Sequence, residues 1–376
     1  VKDTLVVGEL GLDGRVQPVK GILPIVAKAK QSRLKRCIIP KGNEREGAVI
    51  EGVEVIGVTT LEETIAYLTK SEIEKYAMIQ PIKTILRDKT ENAEEAEVDF
   101  SEINGQESVK RAVEIAAAGF HHVLMIGPPG SGKTMIAKRI PGILPSWTME
   151  ESLEVSTIYS VAGMLNEQKA LMTQRPFLAP HHTISEQALA GGGRVPRPGV
   201  ISLAHRGVLF MDELPEFRRT TLEILRQPLE DKKIHIARTC GSFVYPADFM
   251  LVCAMNPCPC GYYGHPARKC ICSQRQVQQY LSKVSGPMLD RFDLHIEVSP
   301  VEFANLSSKE KEESSAVIRE RVQKARDIQN RRFNGTEITC NARITSDILN
   351  EVCPMTDDAR ELLKNVFEKM GLSARA

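Results

Sequence analysis

The chain has 376 residues, of which 42% are apolar and 26% are charged, a composition typical of a soluble folded protein of two or three domains. Lysine plus arginine number 49 against 48 acidic residues, which excludes a uniformly basic protein and means that a polyanion must bind a local patch. The sequence shows no signal peptide and no long apolar run, and its nine cysteines are an odd number. We therefore predict a cytoplasmic protein without a membrane span or a disulfide framework. The first residue, Val1, and the last, Ala376, indicate a fragment of a longer protein.

The front of the chain, residues 1–87, has the pattern of a small α/β unit. Its predicted elements are, in order, a hairpin turn at Asp13-Gly14, a helix at 25–31, strands at 37–40 and 53–58, and a helix to about Lys70 that Thr60 and Glu63 begin with a capping box. Residues 88–98 are polar and acidic without a period, which is typical of a linker.

Residues 99–300 alternate helical patterns with short apolar runs. A helical spacing at 109–117 precedes the run HVLMI, and the later runs are VLFM at 208–211 and FMLVCAM at 249–255. Fully apolar runs of this length are typical of buried parallel strands. The pattern predicts a three-layer α/β/α sheet that binds its ligand at the carboxyl ends of the strands. The remaining 301–376 form a long polar helix followed by a second helical stretch broken at Pro354.

A glycine-rich motif follows the first of these strands and fits the pattern G-x-x-x-x-G-K-[ST] of a phosphate-binding loop. It consists of Gly127, Pro128, Pro129, Gly130, Ser131, Gly132, Lys133 and Thr134. Glycines let backbone N–H groups turn toward phosphate oxygens, and the following helix points its positive end at the same place. We expect Lys133 to reach the β- and γ-phosphates of a nucleotide and Thr134 to ligate Mg²⁺.

Polar residues end the next two strands. Asp212 is placed to hold Mg²⁺ and Glu213 to orient or deprotonate the attacking water, while the Asn256 amide is placed to hold the same water or the γ-phosphate. Solvated turn residues are the alternative for each of them taken alone.

Two closely spaced cysteine pairs, Cys258 with Cys260 and Cys270 with Cys272, lie in a loop rich in glycine and basic residues. Four thiolates can bind one tetrahedral ion, so we predict a structural Zn²⁺ site at 257–273. An iron–sulfur cluster and four reduced thiols are the alternatives, and His265 is a candidate substitute ligand.

These motifs together resemble the magnesium-chelatase-like AAA+ ATPases, and within them the ComM/YifB competence-related family. The resemblance rests on the loop at 127–134 and on the segments APHHTISEQALAGGG, PRPGVISLAHRGVLFMDELPEF, AMNPCPCGYYG and SGPMLDRFDLHIEV. It implies a ring, a homohexamer, with ATP bound between subunits. It also implies that Asn256 is sensor 1, that Arg291 is an arginine finger acting on the neighbouring subunit, and that Arg375 stands at the sensor 2 position of an incomplete lid.

The front unit resembles the Lon-protease-like domain of the same family through GELGLDGRVQPVKG. That resemblance places Leu23 where the catalytic lysine is expected, with Lys20 out of register, so we predict no peptidase activity.

Two insertions, at 181–199 and 231–245, correspond to segments that line the central channel in related rings. The candidate DNA contacts are Lys232, Lys233, His235 and Arg238, and a solvated hairpin edge is the alternative. The resemblance implies a Mg²⁺- and ATP-dependent DNA motor, a helicase or branch-migration enzyme in natural transformation or recombination. A magnesium-chelatase motor subunit and a protein remodeller or adaptor are the alternatives.

Overall fold

The computed structural model describes residues 3–82, 98–165, 170–238, 241–300 and 312–370. The chain divides into two compact units. The first comprises the described parts of 1–94, 147–174 and 192–198, and the second comprises those of 95–146, 175–191 and 199–376. Two segments of the stretch predicted as the ATPase core thus group with the front unit. The predicted linker at 88–98 lies, except for Val98, outside the described residues.

The secondary structure of the described residues is as follows. The strands are β1 Thr4–Val6, β2 Glu9–Leu10, β3 Val16–Gln17, β4 Arg36–Pro40, β5 Glu54–Val58, β6 Val123–Ile126, β7 Phe177–Leu178, β8 Gly191–Gly192, β9 Arg197–Pro198, β10 Val208–Met211, β11 Lys233–Arg238, β12 Gly241–Pro246, β13 Met250–Met255 and β14 Leu294–Glu297. The helices are α1 Ile22–Gln31, α2 Glu44–Gly47, α3 Leu61–Thr69, α4 Glu72–Met78, α5 Glu107–Gly119, α6 Lys133–Ile143, α7 Met149–Ala162, α8 Glu186–Ala190, α9 Val200–Leu203, α10 Arg219–Ile224, α11 Arg226–Asp231, α12 Gln274–Leu281, α13 Gly286–Leu289, α14 Ser315–Arg332, α15 Leu349–Val352 and α16 Asp357–Met370.

The first unit is built on a parallel sheet in the order β1-β4-β5, with α1 and α7 packed against each other. The hairpin predicted at Asp13-Gly14 is confirmed, since β2 and β3 pair in antiparallel register on either side of it. The capping box of α3 is also confirmed: Thr60 accepts a hydrogen bond from the Glu63 N–H, and the Glu63 carboxylate accepts one from the Thr60 N–H. Helix α1 begins at Ile22, earlier than predicted, because Gly21 adopts a left-handed conformation at its N-cap.

The second unit contains a five-stranded parallel sheet in the order β14-β6-β13-β10-β7. The three inner strands, β6, β10 and β13, are apolar throughout because both of their faces are covered, whereas the edge strand β14 carries exposed His295 and Glu297. Along β6, Val123 and Met125 pack into the core beneath α5, α6 and α14, whereas Leu124 faces the core beneath the helices from α8 to α13. The predicted three-layer α/β/α fold is confirmed.

The C-terminal helices differ in detail from the sequence prediction. The long polar helix predicted at 301–335 corresponds to α14, which begins at Ser315, and residues 301–311 lie outside the described part. The predicted break at Pro354 is confirmed, since α15 ends at Val352 and α16 begins at Asp357. Among the described helices, none combines the length and apolarity needed to cross a membrane.

Candidate active site

The strand order brings the three predicted catalytic segments together at one edge of the sheet. Strand β13 lies between β6 and β10, with Met255 opposite Ile126 and Cys253 opposite Met211. Because all three strands are parallel, the residues that follow them emerge side by side. The phosphate-binding loop, Asn256 and the Asp212-Glu213 pair are therefore neighbours.

The phosphate-binding loop has the backbone that its glycines predict. Gly130 and Gly132 both have positive φ angles, 77° and 86°, and α6 begins at Lys133. The Lys133 ammonium donates to the carbonyl oxygens of Gly127 and Pro128 at 2.7 and 2.8 Å. Burial lowers the pKa of Lys133, and the Asp212 charge opposes that shift. A buried cation bonded to loop carbonyls is ready to exchange them for phosphate oxygens.

Oxygen donors suited to Mg²⁺ meet at the start of α6. The Thr134 hydroxyl donates to Asp212 Oδ2 at 2.7 Å, across 78 residues of sequence. A hydroxyl and a carboxylate in contact are ligands that Mg²⁺ accepts alongside water and phosphate oxygens. The residues present therefore fit the ion that the resemblance implies.

Glu213 follows directly in an uncommon backbone conformation. Its φ is 53°, and its N–H donates to Asp212 Oδ1 at 2.9 Å. A non-glycine residue held in the left-handed region costs about 1–3 kcal/mol and persists where the surroundings fix it. The exposed carboxylate is thereby held beside Asp212, which is where the sequence predicts a residue that acts on water.

Two further residues contact this site, and one of them, His182, is predicted from the sequence only as part of the insertion at 181–199. Asn256 Oδ1 lies 3.4 Å from Lys133 Nζ, so the predicted sensor touches the loop lysine. His182 Nδ1 lies 3.7 Å from Glu213 Oε2. His182 follows the short strand β7, and the pairing of β7 with β10 brings its ring near Glu213.

Gln106, which was not predicted from the sequence, anchors the far side of the loop. Its side-chain amide donates to the carbonyl oxygen of Ser131 at 2.8 Å, and its own φ is 57°. The Asn104-Gly105 turn that precedes α5 was the available signal in the sequence.

The predicted arginine finger lies at the opposite edge of the sheet. Arg291 precedes β14, which runs parallel to β6 with Leu294 opposite Val123. A four-residue strand spans about 13 Å, so Arg291 cannot reach the phosphate-binding loop of its own chain. Its guanidinium is largely buried and donates to Glu230 Oε1 at 2.5 Å and to the Pro287 carbonyl.

The four cysteine sulfurs converge on one point. All lie within 4.8 Å of one another, and three of the separations, among Cys258, Cys260 and Cys270, are 3.4, 3.6 and 3.7 Å. Sulfurs around one tetrahedral zinc, at about 2.3 Å each, are roughly 3.8 Å apart. Backbone N–H groups of Tyr262 and Ile271 lower the pKa of the Cys260 thiol to about 6, whereas the pKa values of the Cys270 and Cys272 thiols are raised, so Cys260 is the sulfur that forms a thiolate most readily. The cluster fits a single ion better than a cluster of several irons, which would spread the sulfurs apart.

The candidate DNA contacts do not share one environment. Strands β11 and β12 form the hairpin, and Lys233 and His235 lie exposed on one face of it with Val244. Lys232 instead lies below the hairpin, where it donates to the Leu229 carbonyl. Burial, and then the charge of Arg343, lower the pKa of Lys232 to about 8.

The other predicted residues are placed as follows. Arg238 ends β11, and Arg375 lies outside the described residues. Leu23 is fully buried in the core of the first unit, and Lys20 packs against Gly163. Phe243 on β12, which is not among the predicted contacts, lies opposite Ile236 on the other face of the hairpin and exposes 36% of its surface.

Comparisons with known families match most of the chain. Residues 99–306 match the family described as magnesium chelatase, subunit ChlI, and residues 312–376 match its C-terminal family. Residues 1–43 match a third family, described as subunit ChlI of Mg-chelatase.

Individual relatives cover the chain to different extents. YifB of Escherichia coli is 42% identical over 98% of this chain and 70% of its own length, and the competence protein ComM of Haemophilus influenzae is 40% identical over the same shares. The magnesium-chelatase 67 kDa subunit of Chlorobaculum parvum is 29% identical over 43% of this chain and 23% of its own length. The chain therefore belongs to the magnesium-chelatase ChlI family of AAA+ proteins, with YifB and ComM as relatives along almost its whole length.

Proposed function

We propose that the chain is a Mg²⁺-dependent ATPase whose hydrolysis site is the carboxyl edge of the five-stranded sheet. The observation that carries this proposal is the contact of Thr134 with Asp212 beside the buried Lys133 ammonium. Lys133 binds the β- and γ-phosphates, and Glu213 takes the proton of the attacking water while Asn256 orients that water. Bound Mg²⁺ supplies charge neutralisation of the phosphates.

The site requires a second subunit in this proposal. Arg291 lies about a strand length from the phosphate-binding loop of its own chain, so it acts on ATP bound by a neighbour. A contact between two different surfaces repeats around a ring, and we propose a homohexamer. Arg291 forms an ion pair with Glu230 in this structure. When the ring assembles, the guanidinium therefore has to exchange that carboxylate for a phosphate of the neighbouring subunit's ATP.

The proposed substrate of the motor is DNA, single-stranded or branched, in transformation or recombination. Similarity to the competence protein ComM over 98% of the chain supports this choice over a chelatase subunit, which is similar over 43% of it. The exposed hairpin face supports it also, because Lys233 and His235 stand on it together. Cations that contact the phosphate backbone are the first requirement of a sequence-tolerant grip, and Phe243, on the other face of the hairpin, is a separate candidate for base stacking.

Substrates from three classes separate the proposed motor from its alternatives. ATP turnover should rise with single-stranded or forked DNA and stay at its basal rate with unfolded protein. Stimulation by unfolded protein alone would favour a protein remodeller. Porphyrin metallation with added chelatase subunits, and no response to DNA, would favour the chelatase motor.

The replacement Lys233→Ala should weaken DNA binding and DNA-stimulated turnover together while basal turnover persists. The logarithmic salt slope of single-stranded DNA binding should flatten by about 0.7, the share of one phosphate contact. Lys324→Ala, which removes an exposed lysine from α14, is the matched control. An unchanged salt slope in the Lys233 variant would show that the hairpin is not part of the DNA-binding surface.

Phe243→Ala tests whether the other face of the hairpin, where Phe243 lies opposite Ile236, adds base stacking. Loss of one base–aromatic stack should weaken single-stranded DNA binding by about 1–3 kcal/mol at every salt concentration, without changing the salt slope. Binding equal to that of the parent protein would assign Phe243 to packing rather than to DNA.

We also propose that the four cysteines hold one structural Zn²⁺. Four thiolates complete a tetrahedral shell and leave no position open for catalysis. Elemental analysis of the purified protein should give about one zinc per chain, and Cys258→Ser with Cys270→Ser should lose it. Exposed Cys353 offers a control substitution that keeps the metal. Iron in place of zinc would contradict this assignment.

A further inference from the structure

The four-cysteine loop, residues 257–272, is joined directly to the candidate ATP site. Cys258 stands two residues after Asn256, whose amide oxygen lies 3.4 Å from the Lys133 ammonium. Only Pro257, with its fixed φ, lies between them. Cys258 is completely buried, so neighbouring atoms surround its side chain. Because only one residue separates it from Asn256, a shift of Cys258 should also shift Asn256.

The four-cysteine loop also contacts the phosphate-binding loop directly. Gly261 has a φ of +84°, and a β-carbon there would lie 2.5 Å from Cδ of Pro129. On the other flank, a β-carbon at Gly127 would lie 2.2 Å from the carbonyl oxygen of Val298, just beyond β14. The phosphate-binding loop is therefore held between the end of β14 and the four-cysteine loop, at distances that leave no room for a methyl group.

Among the described residues, the hydrogen bonds of the four-cysteine loop are internal to it, and they include Arg268 donating to the Tyr262 hydroxyl at 2.7 Å. The loop contains no helix or strand, and its backbone bonds are short turns such as Gly261 N–H to Cys258 O at 3.0 Å and His265 N–H to Tyr262 O at 3.1 Å. A cavity of about 640 Å³ separates much of it from β14. A metal that joins both cysteine pairs is then the main constraint on the loop, since binding of such an ion is coupled to local folding.

We propose that metal occupancy of the four-cysteine loop sets the affinity of the chain for ATP. The metal-bound loop is a clamp that keeps Pro129 and Asn256 in place, and the metal-free chain binds ATP weakly. This inference rests on the proposed ATPase function and adds a regulatory role for the metal, distinct from catalysis.

Removal and return of the metal test the clamp by binding rather than by turnover. The affinity for a fluorescent ATP analogue, measured with Mg²⁺ in excess, should fall about tenfold or more when a zinc-selective chelator strips the protein, which corresponds to about 1.4 kcal/mol. Added Zn²⁺ should restore the affinity. Unchanged affinity in protein shown by elemental analysis to be metal-free overturns this inference alone, whereas zinc-loaded protein that binds no ATP overturns the proposed function as well.

Two glycines of the same loop separate the contact from the metal. Gly261→Ala and Gly264→Ala introduce the same methyl group at positive φ angles, +84° and +77°, but a β-carbon at Gly264 would meet nothing within 4 Å. With zinc content retained in both variants, ATP affinity should fall in Gly261→Ala and remain at the parent value in Gly264→Ala. Equal ATP affinities in the two zinc-loaded variants would show that the metal does not act on ATP binding through the contact of Gly261 with Pro129.

Discussion

Glu213→Gln should lower ATP turnover by about 10²–10⁴-fold, the usual contribution of a general base, while ATP binding persists. The amide keeps the size of the side chain and the left-handed backbone at φ 53°, so the phosphate-binding loop stays intact. It cannot take a proton from water. Single-turnover hydrolysis and binding of a fluorescent ATP analogue, measured side by side, check both halves of this expectation.

Two further substitutions separate loss of ATP binding from loss of hydrolysis and provide a control. Lys133→Ala should lose ATP binding itself, because it removes the proposed phosphate ligand, the ammonium that the loop carbonyls hold at 2.7 and 2.8 Å. Glu216→Gln alters an exposed carboxylate that is paired with Lys283, and it should leave turnover near the parent value. Equal turnover in Glu213→Gln and the parent protein would show that Glu213 is not the general base.

Arg291→Ala should lower turnover by about 10³–10⁵-fold, the range reported for arginine fingers, with little change in nucleotide affinity. The reason is geometric: Arg291 precedes β14 at one edge of the sheet, and the phosphate-binding loop follows β6 at the other. Removing the guanidinium from one subunit should therefore slow hydrolysis in the neighbouring subunit. The ATP contacts within the altered subunit should stay intact. Binding and turnover measured on the same assembled preparation check this.

Mixed rings provide the decisive measurement. Glu213→Gln subunits keep Arg291, and Arg291→Ala subunits keep Glu213, so an interface that joins the intact halves is complete. In random equal mixtures about a quarter of the interfaces have this composition. Activity should reappear on mixing and should depend on total protein concentration. Mixtures as inactive as either variant alone would place Arg291 in a structural role with Glu230.

The phosphate-binding site could be predicted from the sequence almost completely. The loop from Gly127 to Thr134 is contiguous, and its glycines, its lysine and the flanking strand and helix patterns act within a few residues of one another. Asp212 and Asn256 were found because each ends an apolar run, and parallel strands place such ends on one edge. Their contacts with Thr134 and Lys133 agree with that expectation.

His182 and Lys232 show why part of the site could not be predicted. His182 approaches Glu213 only because β7 pairs with β10, a neighbourhood that depends on strand order rather than on local periodicity. Lys232 is one residue from exposed Lys233, yet it turns inward at a positive φ of 57° and is surrounded by buried charge. Burial of a single lysine depends on the elements packed around it, and adjacent residues do not encode it.

The sequence by itself determined the α/β class, the family, the phosphate-binding loop and the presence of four cysteines close enough in the chain to share an ion. Each of these depends on residue type and short spacing, which fix backbone conformation and chemistry locally. Only the tertiary structure decided that Arg291 lies away from the phosphate-binding loop of its own chain, and that Gly261 brings the cysteine loop into contact with Pro129. Both follow from the order and direction of the strands, which the packing of two hydrophobic cores selects for the unit as a whole.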